Sequence, residues 1–118
     1  MRPTAAVAAQ RQNCCMHLED MENLLGGLEG VRRTERHGHF PEWRYHGRLV
    51  ARQLDSDHLV IRIDFDFRQS LMQTDTATFS VPNRYVKHMM VVADFVRGDA
   101  AAIEDALDNA WQLQRSAD

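Results

Sequence analysis

Between residues 31 and 52 the chain places six arginines, at 32, 33, 36, 44, 48 and 52, against Glu35 and Glu42, so this stretch carries +4. Guanidinium forks match the geometry of phosphate, and flat rings give unpaired bases a surface on which to stack. Arg32, Arg33, Arg36, Arg44, Arg48, Arg52, Arg62, Arg84 and Lys87 are therefore candidates for nucleic-acid contact, with Trp43 and Tyr45 interleaved. The flanks oppose this reading. Residues 1–30 carry −2 and residues 53–118 carry −5, for a net −3, and an acidic chain is a poor non-specific binder of polyanions. A solvated strand face, its arginines paired with the many Asp side chains, is the alternative account of the same residues.

Other chemistries have weaker patterns. His37 and His39 are two apart, so on a strand both point the same way and can begin a metal site, with Glu35 or Glu42 and His46 as further ligands. Gly38 between them and Pro41 after them argue against regular strand geometry, and solvent-facing histidines near a turn are the simpler reading. Trp43, Tyr85 and His88 are candidates for a pocket that takes a protein partner or a small ligand. No Ser-His-Asp elbow, glycine-rich phosphate loop or His-Glu-x-x-His occurs, so no enzyme and no cofactor is expected. Cys14 and Cys15 are adjacent. They suit neither a disulfide framework nor a Cys-x-x-Cys site, and read as free thiols of a reducing cytoplasm.

These side chains need elements to hold them. WRYHGRLVARQLDSDHLVIRIDF, residues 43–65, predicts three short antiparallel strands with turns at His46-Gly47 and at 55–57. A two-residue loop sets Tyr45 opposite Arg48 and Trp43 opposite Val50. Alternation puts Trp43 and Tyr45 on the core side, Arg44 and Arg62 on the other, and buries Leu59, Ile61 and Ile63. Before this meander, a frayed lead over residues 1–12 gives way to a helix capped by Asn13. His17, Met21, Leu24, Leu25 and Leu28 follow helical spacing in it, and Gly26-Gly27 stops it. A polar edge strand follows over 31–38. After the meander come a helix capped by Asp64 or Asp66 and running to Thr74, a strand over 78–81, and a basic-aromatic connection over 84–88. Met89 to Phe95 is apolar on both sides, which suits a central strand or one meeting a second copy, so the chain is a monomer or a homodimer through Met89–Val96. Asp99 caps a last helix with Ile103, Leu107, Ala110 and Trp111 as its stripe. The expected class is α+β, in the order α-β-β-β-β-α-β-β-α, with residues 13–118 as one domain. No apolar run approaches the roughly 20 residues of a membrane span, and the first residues lack a signal-peptide core, so a cytoplasmic protein is expected.

This order, with the segments LLGGLEGV, ERHGHFPEWRYHGRLVARQ, LVIRIDFDFR, TFSVPNRY and IEDALDNAWQLQ, resembles the MmcQ/YjbR-like family of small bacterial proteins over about Leu24 to Arg115. The lead is longer here, and Val31-Arg32-Arg33 stands where an acidic or neutral stretch is commoner. The resemblance implies an antiparallel sheet packed against helices. It also implies a non-enzymatic DNA-binding role, a label the family takes from likeness to a double-wing arrangement.

Overall fold

The computed structural model describes residues 17–35 and 40–116. Its elements are α1 (Leu18–Gly26), β1 (Val31–Thr34), β2 (Glu42–Tyr45), β3 (Arg48–Gln53), β4 (His58–Arg62), α2 (Phe65–Thr74), β5 (Phe79–Ser80), a single 3-10 turn (Asn83–Tyr85), β6 (Met90–Asp94) and α3 (Ala100–Ser116). This is the α+β order that the sequence implies. The strands form one antiparallel sheet in the order β1-β2-β3-β4-β6-β5.

Local chemistry accounts for the turns. His46 (φ 49) and Gly47 (φ 86) both adopt the left-handed conformation that a two-residue hairpin loop requires, and Tyr45 duly pairs with Arg48. At the next turn the Asp55 carboxylate accepts the backbone N–H groups of Asp57 and His58, at 2.8 and 2.9 Å. Asp64 caps α2 by accepting the Phe67 N–H at 2.7 Å, and Asp99 accepts the Ala101 N–H at 3.0 Å in the first turn of α3.

One face of the sheet is covered by the helices. Trp43, Ala51, Leu59, Ile61, Ile63, Phe79, Val91, Ala93 and Phe95 meet Met21 and Leu25 of α1, Leu71 of α2, and Ile103, Ala106, Leu107 and Ala110 of α3. Full burial of each large aliphatic side chain here stabilises the fold by about 1.5–3 kcal/mol relative to exposure. Trp111 lies at the edge of this core instead of inside it. Its Nε1 donates to the Glu29 carbonyl at 2.8 Å, tying α3 to the loop after α1, and Arg115 stacks on its ring.

The other face holds a second, small cluster. Val60 and Val92 pair across β4 and β6, and Tyr85 from the 3-10 turn covers them. The two-sided apolar character of residues 89–95 is thus accounted for within the chain, since β6 lies between β4 and β5 and is buried on both sides.

Three expectations are corrected. The first described helix begins at Leu18, because His17 has an extended backbone and its N–H turns to Asp20 Oδ2, so a helix from Asn13 does not run through it. Trp43 faces Ala51 in place of Val50, because β3 carries one extra residue at this point, a β-bulge. The strand expected over 78–81 is only the pair Phe79–Ser80. The lead over 1–12, Asn13, Cys14, Cys15, Arg36, His37 and His39 lie outside the described residues.

Candidate nucleic-acid interface

Which arginines share a surface depends on strand parity and on the bulge. Arg32 pairs with Arg44, Glu42 pairs with Arg52, Arg52 with Val60, and Val60 with Val92, so all of these stand on the face away from the helices. Arg62 joins them, since its neighbours Ile61 and Ile63 are in the main core, and it pairs with Met90. Without the bulge, Arg48 would share the side of Arg52. With it, Arg48 turns to the helix side, where it donates to the Gln114 carbonyl at 3.1 Å and approaches the Tyr45 ring.

Five strands therefore contribute to one end of the open face. Arg32 on β1 and Arg44 on β2 are directly opposed, Leu49 on β3 follows, and Arg62 on β4 stands one register step beyond Ala51–Ile61 with Met90 of β6 beside it. Three strand spacings separate Arg32 from Arg62, about 14 Å. Arg44 is braced: its Nε donates to Glu42 at 2.9 Å and its Nη1 to the Gly47 carbonyl at 2.9 Å. Glu42 is 3% exposed and spends its charge on this one guanidinium. Arg52 donates to the Tyr85 hydroxyl at 2.9 Å, and Arg84 lies over the Tyr85 ring at 4.9 Å. Arg32, Arg62 and Lys87 have no ion-pair partner among the described residues.

The eight described candidates thus divide. Arg32, Arg44, Arg52 and Arg62 share the open face, with Arg84 and Lys87 on the turn that partly covers it. Arg33 is drawn away by Glu22 and Glu35, at 3.5 and 2.9 Å, and Arg48 is on the opposite side. The proposed pocket does not assemble. Trp43 is 1% exposed in the main core and Tyr85 covers the opposite face, so the sheet stands between the two.

One structural residue of this surface escaped the sequence reading. Arg68 of α2 binds four backbone carbonyls of the turn: Nη1 reaches Tyr85, His88 and Met90 at 3.1, 2.8 and 3.2 Å, and Nη2 reaches Val86 at 3.1 Å. Its guanidinium also lies 4.8 Å from the centre of the Phe65 ring. The segment that presents Arg84 and Lys87 is thereby pinned from behind.

At the far end of the face the charge changes sign. Arg97 bridges Asp94 and Asp57 at 2.9 and 2.7 Å, while His58 Nδ1 is 2.9 Å from Asp55. Desolvation pushes the Asp94 carboxyl up, but the Arg97 N–H and guanidinium, with His58 nearby, outweigh it and hold the group below its ordinary 3.8. Asp55 is likewise lowered, the N–H groups and ring of its own turn overcoming desolvation. Among the described residues no group of three or more His, Cys, Asp or Glu side chains could hold a metal ion, and no helix is long and apolar enough to cross a membrane.

No protein-family model, curated protein or solved structure matches the chain.

Proposed function

We propose that this protein is a non-enzymatic, cytoplasmic member of the MmcQ/YjbR-like family that binds nucleic acid through the open face of its sheet. The observation that carries the reading is the cross-sheet row of Arg32, Arg44 and Arg62, beside which Glu42, the carboxylate that shares the open face of β2, is already paired with Arg44. Such a row offers cations at intervals of one or two strand spacings, about 5–10 Å, along a line that a phosphodiester backbone can follow. The acidic total charge does not oppose this, because the acids are concentrated elsewhere: Glu104, Asp105 and Asp108 on α3, and Asp55, Asp57 and Asp94 at the far end of the sheet.

The test is a titration against DNA at low and moderate salt, comparing wild type with Arg32→Ala/Arg62→Ala. These two guanidinium groups are chosen because neither holds another described side chain in place. Wild-type affinity should fall steeply with salt, and the double variant should flatten the logarithmic salt slope by about 2. An unchanged slope, or no binding at low salt, sinks the proposal.

A second reading, a protein-interaction or small-ligand module, draws on a different feature. A groove of about 300 Å³ between α1 and α3 is lined by Leu24, Leu28 and Leu107 with Glu104, Asp105 and Asp108. Binding there would respond little to Arg32→Ala/Arg62→Ala.

A further inference from the structure

Single exposed apolar side chains are common on folded proteins, so an exposed ring points to recognition only where it is fixed in place beside other binding groups. Phe65 opens α2 three residues after Arg62, at the end of the sheet where the arginine row crosses, and remains 44% exposed. Its ring is not loose. The Arg68 guanidinium sits over it, and that guanidinium is itself fixed by four carbonyls of the 85–90 turn. Val86, whose carbonyl is one of the four, is 48% exposed on that turn, and Lys87 follows it. The result is a flat apolar surface, backed by a cation, at the end of a line of guanidinium groups.

The chemistry of a complementary ligand follows from that pairing. It must carry anions at regular intervals and also free flat rings. A duplex offers the anions but keeps its bases stacked and shielded, whereas a single strand exposes both. Asp64 and Asp66 flank Phe65. Asp64 already accepts the Phe67 N–H, and Asp66 is exposed, so a phosphate is repelled from the helix side and must enter from Arg62. Resting on the proposed nucleic-acid reading, we infer that the site selects single-stranded nucleic acid, with one unpaired base stacked on Phe65 and the adjoining phosphates running along Arg62, Arg44 and Arg32. Phe65 is then the residue that separates single strand from duplex, while the arginines supply affinity for either.

The experiment uses the full chain and three probes of about a dozen nucleotides, within the range of known single-strand sites: a thymidine single strand, an abasic strand of equal charge, and a duplex. A polyglutamate peptide is added as a non-nucleic polyanion. Wild type is compared with Phe65→Ala and Phe65→Trp, the native state of each checked by chemical denaturation. The thymidine strand should bind tighter than the duplex and tighter than the abasic strand. Phe65→Ala should weaken thymidine binding about 5- to 150-fold, the range for loss of one stacked base, and leave abasic and duplex binding unchanged. Fluorescence of Phe65→Trp should be quenched by the thymidine strand and not by the abasic one. Salt-sensitive binding of all three nucleic-acid probes that ignores Phe65→Ala overturns the stacking site and leaves the arginine row standing. Polyglutamate binding as tight as thymidine binding overturns selection of nucleic acid. Failure to bind any polyanion overturns both readings.

Discussion

Removing the Arg68 guanidinium tests whether the basic turn is held from behind. Arg68→Met keeps an unbranched apolar stem beside Phe65 and deletes every donor. Nη1 has two hydrogens for three carbonyls and Nη2 contributes one more bond, so three full hydrogen bonds are the most that can be lost, although four carbonyls are in reach. Each is worth about 1–1.5 kcal/mol net, less than a buried bond from a charged donor, because carbonyls near the surface regain water. The expected loss is at most about 3–4.5 kcal/mol, read as a lower denaturation midpoint with an unchanged denaturant slope. Arg68→Lys should recover part of it, since an ammonium group keeps three donors but not the planar fork. Amide exchange should accelerate first at the turn and at the start of β6. A loss under about 0.5 kcal/mol for Arg68→Met, within the range of ordinary surface changes, would refute the idea that this side chain organises the turn.

Two glycines with similar backbone angles should respond differently. Gly30 has φ +80, and a Cβ there would come within 2.9 Å of Tyr45 Cδ1, whereas Gly47 has φ +86 and open space. Gly47→Ala should cost about 1–2 kcal/mol, the left-handed penalty alone, and Gly30→Ala measurably more in the same denaturation experiment. The Asp94 network predicts an acid transition. A carboxyl whose folded pKa is depressed below 3.8 contributes stability that is present above that value and lost as pH falls through the folded pKa. Stability measured against pH should therefore drop in that acid range, and Asp94→Asn should shrink the drop while costing stability at neutral pH.

Alternation and turn chemistry were legible in the residues themselves. Leu59, Ile61 and Ile63 announced one buried side of β4, and His46-Gly47 announced the hairpin, because those signals are local. The bulge at Val50 was not legible. Nothing in RLVAR marks an extra residue, and its position is set by Trp43 and the main core, into which both Val50 and Ala51 are drawn. That one residue decides which face Arg48 joins. Arg68 was equally hidden, since its partners are backbone carbonyls 17 to 22 positions away and any residue type can supply those. The pocket expected from Trp43, Tyr85 and His88 failed for a related reason. Aromatic residues separated in sequence carry no sign of which side of a sheet they will cover.

The division of charge across the sheet has a consequence for motion as well as for contact. With the arginine row at one end of the open face, and acids on α1, on α3 and at the far end of that face, the molecule carries a permanent electric moment that points toward the arginine end. A polyanion within a Debye length, about 10 Å at moderate salt, therefore exerts a torque before any atoms meet, and turns the arginine end toward itself while the acids swing away. Productive encounters become a larger fraction of collisions than a random approach would give. On the proposed nucleic-acid reading, the arginine row should accordingly show itself first in how fast complexes form, and salt should slow their formation by weakening the alignment.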